Sequence, residues 1–119
     1  MSVLQLTLKG NWFDLIASGD KTFEYREYKA HWISRLLGKS GTRRYDEVRF
    51  TNGYGKHRPY IRAEFIGTSI IKGKYCEPEN GEPLDSEKEY FVISLGEILE
   101  IGNTTTNRNQ TNTGVDQNE

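Results

Sequence analysis

Cysteine is nearly absent: Cys76 stands alone in 119 residues, which excludes an internal disulfide and any cysteine-rich zinc site. Histidine is scarce too. His31 and His57 are the only two, they show no helical His-x-x-x-His spacing, and no metal or cofactor is expected. Long apolar runs are missing, with nothing near the roughly 18 consecutive residues that a membrane-spanning helix needs. Met1 to Lys9 alternates instead of offering a signal peptide's apolar stretch, so a cytoplasmic protein is expected. Gly38-Lys-Ser-Gly41 lacks the spacing of a phosphate-binding loop. Cys76 stands beside Tyr75 and Glu77 at the start of an acidic loop, not in the cationic surroundings that lower a thiol pKa, and is expected to be inert.

Charge of one sign is also lacking overall, at a net −1, but its distribution is uneven. Thirteen Lys or Arg and five acids lie between Lys21 and Lys74, whereas Glu77 to Glu89 holds six acids and one lysine. Such a chain can present a basic face beside an acidic loop. One domain is expected over residues 1–102, followed by a polar, disordered tail over 103–119.

The pattern that is present reads as short strands with two early helices. Val3, Leu4, Leu6 and Leu8 alternate with polar residues as a half-buried strand does. Asn11 suits an N-cap and Gly19 a C′ position, bracketing a helix with Trp12, Leu15 and Ile16 along one stripe. Thr22 to Tyr28 reads as a strand with Phe23 and Tyr25 on one face and Thr22, Glu24 and Arg26 on the other. Lys29 to Leu37 predicts a second helix, with Trp32 in its core stripe and Gly38 to Gly41 as its stop. Strands are predicted over Tyr45 to Thr51, Tyr60 to Ile71 (bending at Gly67), and Tyr90 to Ile101 (interrupted at Gly96). The order predicts an α+β protein, a small mixed β-barrel of about five to six strands with both helices in the N-terminal half.

The densest polar constellation is Gly19-Asp-Lys21-Thr-Phe-Glu24-Tyr-Arg26. On a strand, Glu24 and Arg26 share a face, and Lys21 lies near the preceding turn. Cations so placed can bind phosphate, Arg26 bidentately, while Glu24 can accept a base's amino protons or act as a general base. The alternative is an edge-strand salt bridge of little energetic weight.

Gly19-x-Lys21-x-x-Glu24-x-Arg26, following the helix Asn11-Trp-Phe-Asp-Leu-Ile-Ala-Ser-Gly, resembles the G-x-K-x-x-E-x-R signature of ASCH domains. The similarity extends through Tyr45-Asp-Glu-Val-Arg-Phe-Thr-Asn-Gly and covers most of Val3 to about Ile101. This resemblance implies a PUA-like barrel with a cleft beside the signature and a partner that is RNA or a modified nucleoside. Some small ASCH proteins deacetylate N4-acetylcytidine; others are described as ribonucleases or RNA-binding modules. In the amidohydrolases the signature lysine works with a threonine three residues later and a distant glutamate. Here Lys21 keeps the lysine position, Glu24 replaces the threonine, and Glu64 is the candidate distant carboxylate.

Beyond the signature, Tyr28, Trp32, Tyr54 and Tyr60 can stack on bases, while Arg43, Arg44, Lys56 and Arg58 can meet phosphates. Two functions stay open. One is a binding module using Lys21, Glu24, Arg26 and the basic segment from Arg43 to Arg62. The other is an enzyme, an amidohydrolase or ribonuclease, in which Lys21 stabilises negative charge and Glu24 moves protons. An adaptor that binds protein through the acidic loop is a third reading.

Overall fold

The structure, a computed structural model, describes residues 1–53, 55, 57–79 and 82–103. Tyr54, Lys56 and the tail from residue 104 onward, all singled out in the sequence, lie outside the described residues. Among the described residues seven strands and two helices follow one another: β1 (Val3–Leu8), α1 (Asn11–Ala17), β2 (Phe23–Glu27), α2 (Ala30–Leu36), β3 (Leu37–Gly38), β4 (Gly41–Thr42), β5 (Glu47–Asn52), β6 (Tyr60–Lys72) and β7 (Glu89–Gly102). A 3-10 turn, Gly73–Tyr75, follows β6. Five strands form a mixed sheet in the order β1-β5-β6-β7-β2, parallel between β1 and β5 and antiparallel between β5 and β6 and between β2 and β7. The class is α+β, as the pattern of short strands and early helices predicts.

The residues cluster into two compact units, and β6 and β7 each run through both. The first unit comprises Met1–Lys21, Tyr45–Glu64 and the described residues from Glu97 onward. Its core follows from register. Leu4 and Leu6 lie beside Val48 and Phe50, which in turn face Ala63 and Ile61. All six are buried, together with Phe13 and Ile16 of α1. Deleting a fully buried ring such as Phe50 costs about 3–5 kcal/mol, lost transfer energy and cavity together. The opposite face of the same strands is polar. There Arg62 donates to both carboxylate oxygens of Glu47, at 2.8 and 2.7 Å, and to Glu100 at 2.9 Å.

The second unit comprises Thr22–Arg44 and Phe65–Gly96. It buries Leu36 of α2 with Phe65, Phe91, Ile93 and Leu95 of the sheet. Its long connection after the 3-10 turn is pinned at Gly73, whose amide donates to the Lys88 carbonyl at 2.8 Å.

Several local expectations are corrected. Gly10, not Asn11, caps α1 and supplies no side-chain cap; Asn11 is the first helical residue. The Gly10 amide instead donates to Oδ1 of Asn52 at 3.2 Å, so Asn52 acts as a clip between two chain segments. Gly19 takes a φ of 86° after the Ser18 C-cap, the left-handed conformation that glycine reaches without a Cβ penalty. Helix α2 ends in a small hairpin: Gly38 to Gly41 closes the β3–β4 pair rather than merely stopping the helix. Strand β5 begins at Glu47, two residues later than expected, and just before it the Asp46 carboxylate accepts from the Ser2 amide at 2.7 Å. Gly96 does not interrupt β7, which is continuous over 14 residues.

Candidate functional site

Strand β2 carries the signature's carboxylate and guanidinium. Its antiparallel register sets Glu24 opposite Ile93 and Arg26 opposite Phe91. Directly opposed residues share a face of the sheet, so Glu24 and Arg26 lie on the side occupied by two fully buried apolar side chains. Glu24 is itself only 4% exposed. Its Oε2 accepts from Nη1 of Arg26 at 2.6 Å. The edge-strand ion pair that the sequence offers is present, since β2 ends the sheet; what the pattern does not give is that its carboxylate is largely withdrawn from water.

The two faces of β2 are both covered, which alternation alone does not reveal. Tyr25, on the opposite face, is also buried, and its hydroxyl accepts from the Glu77 amide at 2.9 Å. Burial, above all, pushes the Tyr25 phenol up from its usual range.

Trp32 is not a core residue of α2. It is half-buried, with the Arg26 guanidinium 5.1 Å and the Arg35 guanidinium 5.8 Å from its ring centroid. His31 meets it edge-on at 4.6 Å. Cations over an indole face are attracted by the ring quadrupole, so α2 delivers an aromatic platform to Arg26. Tyr28 lies against Phe91, with centroids 5.1 Å apart.

The other candidates divide between the two units. Lys21 belongs to the first, where its ammonium rests 4.6 Å from the Trp12 centroid and its amide donates to the Leu15 carbonyl at 3.0 Å. Glu64 also belongs to the first unit, is exposed, and accepts from the Glu97 amide at 2.9 Å. Arg58 is exposed there too, with its guanidinium lying over Gly53. Arg43 and Arg44 belong to the second unit, donating to the Leu37 and Ile66 carbonyls at 2.9 and 3.2 Å. The basic segment is thus not one continuous surface of free charge. Arg62 is neutralised by Glu47 and Glu100, and Arg49 lies 3.9 Å from the Tyr60 centroid. The Tyr60 hydroxyl donates to Glu100 at 2.7 Å, so this ring is engaged on its own strand neighbours.

Sequence reasoning missed the Arg62 clamp. Its hydrogen bonds hold the Glu47 and Glu100 carboxyls below the usual carboxylate range and keep Arg62 firmly protonated. The available signal was diagonal: Glu47 pairs with Glu64 in register, which brings Arg62 two residues along the neighbouring strand. Glu27 is likewise held low, first by Lys88 and then by Lys29.

Among the described residues no His, Cys, Asp and Glu group is placed to hold a metal ion, and no helix is long and apolar enough to cross a membrane. Compared with protein-family models, curated proteins and solved structures, the chain shows no match.

Proposed function

We propose that this chain is an ASCH-type, PUA-like protein that binds RNA or a modified nucleoside, with Glu24 and Arg26 as its recognition pair. The single observation that carries the reading is the burial of that pair on the apolar side of the sheet. Two charges withdrawn from water are costly, and apolar replacements of similar volume are often as stable or more so. A fold has no need of such a pair for stability, which makes function the stronger reason for it to be there.

The chemistry suits a base. A carboxylate accepts protons from the exocyclic amino group of cytosine, adenine or guanine, and a guanidinium donates to ring nitrogens, carbonyls or phosphate. Arg26 is the more open end, with 18% of its side chain exposed. It is held by Glu24 behind it and Trp32 beside it, so its fork is oriented before any ligand arrives. Exposed Arg43 and Arg44 in the same unit supply charge for a backbone. Lys21 enters this reading through the sequence signature alone.

The test is mass spectrometry and equilibrium binding of the full chain with N4-acetylcytidine and with a short single-stranded RNA. Arg26→Lys, which keeps the charge but loses the fork, and Lys21→Ala run in parallel. Retention of either probe by the wild type, lost in Arg26→Lys, supports the binding assignment. Release of cytidine or cleaved RNA, abolished in Lys21→Ala, makes the protein an enzyme on the same signature. No retention and no product at low salt overturns both.

A further inference from the structure

On the side of β2 away from Glu24 lies a cavity of about 360 Å³, built wholly from residues of the second unit. Its volume falls in the lower part of the range of small-molecule sites. Phe23, Tyr25 and Tyr75 face it, with aliphatic side chains of β6 and β7 closing its walls. Phe23 and Tyr25 are tilted against each other with centroids 5.1 Å apart, and Tyr75 is 74% exposed, a large ring left in water.

The charged residue in the lining of this cavity is acidic. Glu77 lines it, and among its described lining residues none is a lysine, arginine or histidine. The field of Glu77 and Glu79 also reaches the Tyr25 hydroxyl, adding to the effect of burial there. An anionic phosphate is therefore disfavoured here, in contrast to the site on the other face.

Aromatic faces with a carboxylate at the rim attract cations. Most of the lining is ring and aliphatic surface, with the hydroxyls of Thr22, Ser94 and Tyr75 set into it. A quaternary ammonium carries no N–H donor and presents apolar methyl groups, which suits ring and aliphatic walls, and such heads are recurrent ligands of aromatic-lined sites. The Tyr75 ring already has a cation near it in the chain itself, with the ammonium of the neighbouring Lys74 5.4 Å from its centroid.

We propose that this cavity binds a small, free organic cation with a methylated ammonium head, against Phe23, Tyr25 and Tyr75, with Glu77 neutralising its charge. The site is independent of the nucleic-acid reading and can stand if that reading falls.

Isothermal titration of the full chain with choline, and with its neutral isostere 3,3-dimethylbutan-1-ol, tests it. Choline is expected to bind saturably, and the isostere about tenfold more weakly or not at all. Tyr75→Ala and Glu77→Gln, both at exposed positions, are each expected to weaken choline binding by roughly three- to tenfold with unchanged thermal melts. Lys74→Ala is expected to strengthen it, by removing a competing cation. Absence of saturable choline binding, equal binding of the isostere, or indifference to both weakening variants overturns the proposal. Tighter binding of a short peptide bearing trimethyl-lysine than of choline overturns its restriction to a free small molecule.

Discussion

Glu24 and Arg26 stand two residues apart on one strand, joined at 2.6 Å, and the carboxylate is almost wholly shielded from water. The pair's part in stability and the recognition role proposed for it respond differently to substitution, so the two can be separated.

Removing one partner strands the other. Arg26→Met is expected to destabilise the protein by about 3 kcal/mol, the low end for a buried pair because Arg26 keeps some solvent contact. The double variant Glu24→Leu/Arg26→Met is expected to recover most of that loss in a chemical denaturation curve. It should nonetheless fail to retain RNA or nucleoside. A double variant that binds normally would remove both residues from the site.

The Arg62 clamp gives stability a defined pH dependence. Glu47 and Glu100 have folded-state pKa values below their unfolded ones, so their contribution is fully present above the ordinary glutamate range. It is lost as pH falls from about 4.5 through the depressed folded values. Arg62→Met is therefore expected to be less stable than the wild type at neutral pH, with the difference shrinking as the pH drops toward 2. Parallel melts across this range check it; a gap that stays constant would mean the clamp contributes packing and not charge.

Gly73 has no room for a side chain. A Cβ there would meet the Asp85 carbonyl oxygen at 1.9 Å and the Tyr90 ring at 3.0 Å. Gly73→Ala is expected to cost about 1–3 kcal/mol through overpacking. It should also raise hydrogen exchange around Asp85 to Lys88, whose carbonyl Gly73 holds. A substitution without effect on either measurement would show that this connection shifts freely.

Cys76 should be a slow thiol. Burial is the first cause raising its pKa, so less thiolate is present at neutral pH than in an unhindered cysteine. Alkylation by iodoacetamide is expected to lag behind that of a free cysteine peptide at pH 7.5 and to accelerate more steeply above pH 9. Rates equal to the peptide's at both values would contradict the shielding.

Much of the fold was legible in the chain. The leucine alternation of β1, the glycine after α1, the length of β6 and the two helices all follow from local periodicity and turn chemistry. What local pattern could not supply was the surroundings of β2. Alternation sorts Phe23 and Tyr25 from Glu24 and Arg26, but it assumes that one face is wet; only the register with Ile93 and Phe91 shows that the charged face is covered as well. Trp32 misled for a related reason. Helical spacing marks a residue that turns inward, and the inward neighbour here is a guanidinium instead of a hydrocarbon. The Arg62 clamp joins residues that are 15 and 38 positions apart; no window of sequence contains it.

The chain has two tryptophans, and each lies under one cation of the signature: Trp12 beneath Lys21 and Trp32 beneath Arg26. The protein is therefore its own spectroscopic probe. Any molecule that draws either cation away changes the electric field at an indole, so excitation of native, unlabelled protein monitors the signature directly. Trp12→Phe and Trp32→Phe then resolve the emission into a lysine channel and an arginine channel, and Arg35→Gln, which removes the second guanidinium over Trp32, leaves the latter reporting Arg26.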